Sequence, residues 1–311
     1  MLRRPLSSLA ALLLAAMAFA VAACGGDDEQ PRASAPAAPK AFPVTIAAAN
    51  GTVTVPERPE RIVSLSPTST ESLFAIGAGR QVVAVDDQSD YPVSAPKTKL
   101  SGYTPNAEAI AGYRPDLVVL SGNENDIVGA LGKLGVPVLL QPAAADFEDA
   151  YEQIEELGQA TGHRAEAKRL VVGMKRQIVE LVRSAPVTSR RLTVYHELDP
   201  DGYSATSKTF IGRVYRLFHL RNIADKADST GSGYPQLSAE YIVDADPDLI
   251  VLADTRCCGQ SADTLAARPG WDHIAAVERG AVVEVDDSVA SRWGPRIVAF
   301  VRAVSEALKG S

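Results

Sequence analysis

One stretch of this chain occurs twice. Ala107-Glu108-Ala109-Ile110, four residues, then Pro115-Asp116-Leu117-Val118-Val119-Leu120 match Ala239-Glu240-Tyr241-Ile242, four residues, then Pro247-Asp248-Leu249-Ile250-Val251-Leu252, at an offset of 132. A second pair of segments, 61–66 and 191–196, lies at an offset of 130 and supplies the expected first strand of each half. Two copies at so long a period exclude a solenoid, whose units recur every ~20–50 residues. The repeat predicts two related lobes.

Around it, apolar runs at 61–66, 82–85, 117–120 and 136–140 alternate with helix-patterned segments such as 71–76 and 127–134, the pattern of an α/β lobe with a largely parallel sheet. Strand signals resume at 192–197, 249–253 and 281–285, and a helix over about 295–309 closes the chain. Between the two sets, Asp146 to Ser184 is the longest stretch with helical periodicity and no proline, interrupted at Thr161-Gly162. It predicts helices over 147–160 and 163–184, and the second, at ~1.5 Å per residue, spans about 33 Å, enough to cross between lobes. The expected fold is α/β, with two Rossmann-like lobes containing parallel sheets, bridged by a long α-helix. The N-terminal lobe covers 44–145, the helices 146–185 and the C-terminal lobe 186–311. Residues 44–55 alternate around Asn50-Gly51, the signature of a type I′ hairpin.

The chain starts with a processing segment. Arg3 and Arg4 precede a Leu/Ala-rich run from Leu9 to Ala23 with no acidic residue, which reads as an export signal over 1–23 and is short for a spanning helix. It ends in Val21-Ala22-Ala23-Cys24, which resembles the lipobox of bacterial lipoproteins, where the cysteine is acylated and the peptide cut before it. A flexible tether over 24–43 follows, rich in Gly, Asp, Pro, Ala and Ser. The expected location is extracytoplasmic, lipid-anchored to the bacterial cell membrane through Cys24. The net charge of −7 argues against nucleic acid as a partner. With Cys24 lipidated, only the adjacent Cys257 and Cys258 remain. A vicinal disulfide, thiolate coordination of a metal or metallo-ligand, and an inert unpaired pair are all open.

Two lobes leave a cleft between them, and ligands bind beyond the carboxyl ends of parallel strands. The loops predicted there carry Ser66, Pro67, Thr68, Tyr91 and Tyr103 in the first lobe, and Tyr203, Tyr234, Cys257, Cys258, Arg292 and Trp293 in the second. Rings and an arginine suit a flat, partly apolar and partly anionic ligand. Catalysis is not expected: the chain has no nucleophile elbow, phosphate-cradling loop or zinc-protease motif. His196-Glu197 is a possible acid/base pair without an identifiable nucleophile, and His196 is the only one of four histidines placed for the cleft. A haem or transition-metal receptor and a lipoprotein hydrolase are the alternatives.

As an ordered set, Arg61-Ile62-Val63-Ser64-Leu65-Ser66-Pro67 with Thr70-Glu71, Ser89-Asp90-Tyr91-Pro92, Asn106-Ala107-Glu108, Pro235-Gln236-Leu237-Ser238-Ala239-Glu240 and Ser291-Arg292-Trp293-Gly294-Pro295-Arg296 resemble the substrate-binding proteins of ABC importers for cobalamin and ferric siderophores. The resemblance covers about 42–308. It implies two lobes that close only slightly on binding, a metal-complex ligand in the cleft and no resident cofactor. It also implies a permease dimer with its ATPase subunits as partner, and a monomeric receptor. In that family a glutamate of each lobe docks into arginine pockets of the permease, and the matching motifs carry this role onto Glu108 and Glu240. Tyr103 and Tyr234 fall near positions where cobalamin-binding members carry tryptophans. Arg292 is expected to face a ligand group and Arg296 an interior salt bridge.

Overall fold

Apolar runs of four or five residues are too short for helices and become strands buried on both faces. The computed structural model describes residues 41–186 and 189–310; the expected signal, Cys24 and most of the tether lie outside the described residues. Strands β1 (Val44–Ala48) and β2 (Gly51–Val55) form an antiparallel hairpin. Ala48 pairs with Gly51, so the loop is Ala49-Asn50, and in it only the closing Gly51 takes a positive φ, +97°. This corrects the type I′ expectation, because that turn requires positive φ at both central residues. Asn50 instead grips the sheet beside it: its Nδ2 donates to the Val138 carbonyl at 2.9 Å, and its Oδ1 accepts the Leu140 N–H at 3.1 Å.

The N-terminal lobe carries β3 (Ile62–Leu65), β4 (Val82–Val85), β5 (Leu117–Leu120) and β6 (Val138–Leu140), parallel in the order β4-β3-β5-β6. The C-terminal lobe carries β7 (Thr193–Glu197), β8 (Arg221–Asn222), β9 (Leu249–Leu252) and β10 (Val282–Glu284), parallel in the order β10-β9-β7-β8. Counted from each lobe's first strand, both sheets run 2-1-3-4. Strand β8 has no apolar signal in Arg221-Asn222 and exists by pairing with β7.

The repeat has a structural reason. Asp116 accepts the N–H groups of Glu60 and Arg61 at 2.8 and 3.0 Å, and Asp248 accepts that of Thr193 at 2.9 Å, so each Pro-Asp pins the amino end of its lobe's first strand. Ile62 lies opposite Leu117 and Val194 opposite Leu249. Both relations share the offset of 132, which corrects the 130-residue alignment of the first strands by two positions.

Helix α1 (Pro67–Ala75) starts at the favoured N1 proline behind the Ser66 cap. Helices α2 (Ala107–Ala111) and α3 (Ile127–Lys133) cover the other face of the N-terminal sheet. Helix α4 (Phe147–Thr161) ends at Gly162, φ +78°, and α5 (Arg164–Ser184) then runs about 31 Å. The buried stripe of α5, Ala167, Val171, Met174, Ile178 and Leu181, has the helical spacing of three to four. In the C-terminal lobe follow α6 (Phe210–Leu217), α7 (Ala239–Ala245), α8 (Ala262–Ala266), α9 (Ala275–Glu278), α10 (Asp287–Ser291) and α11 (Ile297–Gly310). Helix α5 packs on α4 at one side and α11 at the other, where Ser305 Oγ donates to the Leu181 carbonyl at 2.9 Å. One apolar core therefore runs from Ile62 through Ile154 and Met174 to Val194 and Phe300.

Candidate functional site

The order 2-1-3-4 reverses direction between the first and third strands, and the crevice at such a point is the usual ligand position in open parallel sheets. Loops from the carboxyl ends of the two sheets meet here. Residues 143–145, after β6, share a hollow of about 250 Å³ with Phe210, Tyr234, Ser291 and Trp293 of the other lobe. Phe210, which lines it, packs on Phe147 with ring centroids 5.4 Å apart, and Trp293 Nε1 donates to Gln153 Oε1 at 2.9 Å.

An ionic cluster also joins the lobes. Glu71 of α1 is buried and accepts Arg292 Nη1 at 2.8 Å, Arg296 Nε at 2.9 Å and Arg296 Nη2 at 2.6 Å. Arg292 also donates to Asp90 Oδ1 at 2.9 Å and to the Gln88 carbonyl at 3.0 Å. Partial burial disfavours the Asp90 charge, but the hydrogen bond and charge of Arg292, with the Asp90 N–H and the Arg256 charge, together outweigh it and hold that carboxyl below its ordinary range. Arg296 lies over the Tyr91 ring, 4.3 Å from its centroid. The loop that carries Asp90 and Tyr91 is held from its own lobe by a buried chain of hydroxyls, Ser64, Thr70 and Ser89, with both separations 2.9 Å.

Among the expected site residues, Tyr91, Tyr234, Arg292 and Trp293 come together at the inter-lobe face. Tyr103 is 77 % exposed and follows Gly102, which packs on the carbonyl of Leu65 at the end of β3. Tyr203 is exposed at the end of β7, its carbonyl accepting the Leu198 N–H at 2.9 Å. Ser66 is buried and its hydroxyl accepts the Ser69 N–H, with Pro67 and the buried Thr68 in the same first turn. Cys257 and Cys258 form a disulfide on the exposed loop after β9. That loop is fixed by Asp287, which accepts the N–H groups of Arg256 and Cys257 at 2.9 and 2.7 Å. It reaches the other lobe through Arg256, 3.5 Å from Asp90. Glu108 and Glu240 are both exposed in the first turns of α2 and α7, behind the caps Asn106 and Ser238.

Sequence reading missed Glu71 as the partner of both arginines and Asp90 as a second partner of Arg292, although both acids lie in the motifs singled out. It also placed His196 in the cleft, which the structure corrects. His196 is fully buried in the C-terminal core, its Nδ1 2.5 Å from the Tyr215 hydroxyl, and burial holds its ring near pKa 3, hence neutral. Glu197 is equally buried and gripped by Arg268 through two bonds of 2.6 Å, so this dipeptide cannot serve as an exposed acid/base pair.

The comparisons agree with this arrangement. A family model described as periplasmic binding protein matches residues 62–289, from β3 into α10. An ABC transporter substrate-binding lipoprotein of Bacillus subtilis is 34% identical over 309 residues, covering 96% of this chain and 95% of that one. A cobalamin-binding protein of Halobacterium salinarum is 34% identical over 307 residues, covering 93% and 81%. Among solved structures, the periplasmic vitamin B12 binding protein of Vibrio cholerae superposes with a TM-score of 0.66 at 23% identity, over 80% of this chain and 96% of that one, a likeness of fold. Since the matched region takes in both parallel sheets, the chain belongs to the periplasmic binding protein family.

Proposed function

We propose that the protein is an extracytoplasmic receptor that captures a corrinoid in the inter-lobe cleft and hands it to an ABC permease with its ATPase subunits, without chemistry on the ligand. The observation that carries the ligand class is the pairing of Arg292 and Arg296 with Glu71 and Asp90. It neutralises the guanidinium groups at the base of the cleft and leaves exposed tyrosine rings around it. Such a surface favours a large macrocycle edged with neutral amides over a ligand with several carboxylates, which would need unpaired cations. The cobalamin-binding protein of Halobacterium salinarum supports the same class.

In this reading Tyr91, Tyr103, Tyr203, Tyr234 and Trp293 supply ring contacts, and the Cys257-Cys258 loop borders the ligand. Ser66, Pro67 and Thr68 fix the start of α1 beneath it. Glu108 and Glu240, one on each lobe, dock the two halves of the permease, and a monomer anchored by acylated Cys24 delivers the ligand. The test is calorimetric titration of the mature chain with cyanocobalamin, a ferric hydroxamate siderophore and haemin in parallel. Saturable one-to-one binding of cyanocobalamin alone is expected. Heat with an iron complex and none with cyanocobalamin would overturn the ligand class.

A further inference from the structure

Asp254 and Glu197 stand at the carboxyl ends of β9 and β7, the two strands that flank the reversal point of the C-terminal sheet. Both are completely buried. Glu197 accepts Arg268 on both oxygens and the Tyr195 hydroxyl at 3.1 Å. Asp254 has no donor to either carboxylate oxygen among the described residues, and its close neighbour is the Glu197 carboxylate, itself only an acceptor when charged. Among the described residues Arg268 is the one cation set against these two acids, and it also donates to Gln260 Oε1 at 2.7 Å. A second buried negative charge would be uncompensated. We propose that Asp254 and Glu197 share one proton, and that this proton positions the cysteine loop 254–260 on the rim of the cleft.

The connection to the loop is direct. The Asp254 carbonyl accepts the N–H groups of Cys258 at 3.2 Å and Gln260 at 3.4 Å, and the Gln260 side chain is tied to Arg268. The groups facing the pair are Tyr195 from β7 and Arg268 from the segment after α8. Beyond the loop lie Arg256, Asp286, Asp287 and, across the cleft, Asp90. With the proton in place, Asp254 donates to Glu197 and the charge of Glu197 is matched by Arg268. Without it, two carboxylates repel in a dry site and the loop they anchor must move, loosening the Arg256 contact with Asp90. Burial first, and the neighbouring Glu197 charge second, raise the Asp254 carboxyl to about 7. The positioned loop is therefore the form below neutrality, and it is lost as pH rises.

The experiment uses the unliganded mature protein, so it stands whatever the ligand is. Hydrogen exchange of the amides of Cys258 and Gln260, corrected for intrinsic rates, is followed from about pH 6 to about pH 9, with β7 amides as control. Protection is expected to fall by up to about tenfold per pH unit above neutrality, the limit for one linked proton. Asp254→Asn keeps a donor to Glu197 but cannot titrate, and should retain low-pH protection across the range. A flat wild-type profile, or the same slope in Asp254→Asn, would overturn the proposal. If that variant fails to fold, the wild-type profile alone still decides.

Discussion

Glu71 and Arg296 are 225 positions apart in the chain and joined by two hydrogen bonds, of 2.9 and 2.6 Å. The carboxylate belongs to the first helix of one lobe and the guanidinium to the approach to the last helix of the other. With Arg292 on the same carboxylate, this is a charged tie between lobes at the base of the cleft.

Removing the acid should leave two guanidinium groups short of a partner in a largely buried site. Glu71→Gln is expected to lower stability by about 3 kcal/mol, the lower end for breaking one side of a buried ion pair. Urea unfolding with an unchanged slope would read it. A loss below ~1 kcal/mol would mean that water already reaches the bridge.

Asp248 offers a pH test. Burial opposes its charge, but bonds from Arg190, Thr193 and Arg279 hold the carboxyl well below its ordinary range. Its folded form thus binds a proton less readily than the unfolded chain. The stabilisation is present above about pH 4 and lost as pH falls. Asp248→Asn should cost at least ~2 kcal/mol at neutral pH and flatten the acid side of the stability curve. Equal acid slopes in variant and parent would contradict this assignment.

The exposed rings make separable predictions. Tyr234→Ala and Tyr91→Ala should each weaken cyanocobalamin binding about tenfold or more, corresponding to ~1.4 kcal/mol, with little change in unfolding. Calorimetry is the measurement, and unaltered affinity in both would remove these rings from the ligand surface.

Docking should respond in the opposite way. Exchanging Glu108 and Glu240 together for alanine is expected to abolish uptake by cells that carry the permease while leaving affinity for free ligand intact. Transport assays beside a titration distinguish the two, and a matching fall in affinity would place these glutamates in ligand binding instead.

Period and pattern in the sequence were enough for the two-lobe α/β design, because buried parallel strands must be short apolar runs and the repeated Pro-Asp pins each lobe's first strand. The long helix was equally legible, since a stripe at helical spacing without proline has one regular solution. Strand β8 was not, because Arg221 and Asn222 become a strand only when Thr193 and Val194 offer them an edge. The site divides along the same line. Which loops end at the cleft follows from strand direction, a local property. Which charges remain free there does not, because Arg292 and Arg296 are neutralised by acids more than two hundred positions away. Likewise the sequence leaves His196-Glu197 open as a possible acid/base pair at a strand end, and only the tertiary structure makes it core, since burial is decided by what other segments pack on top of that end.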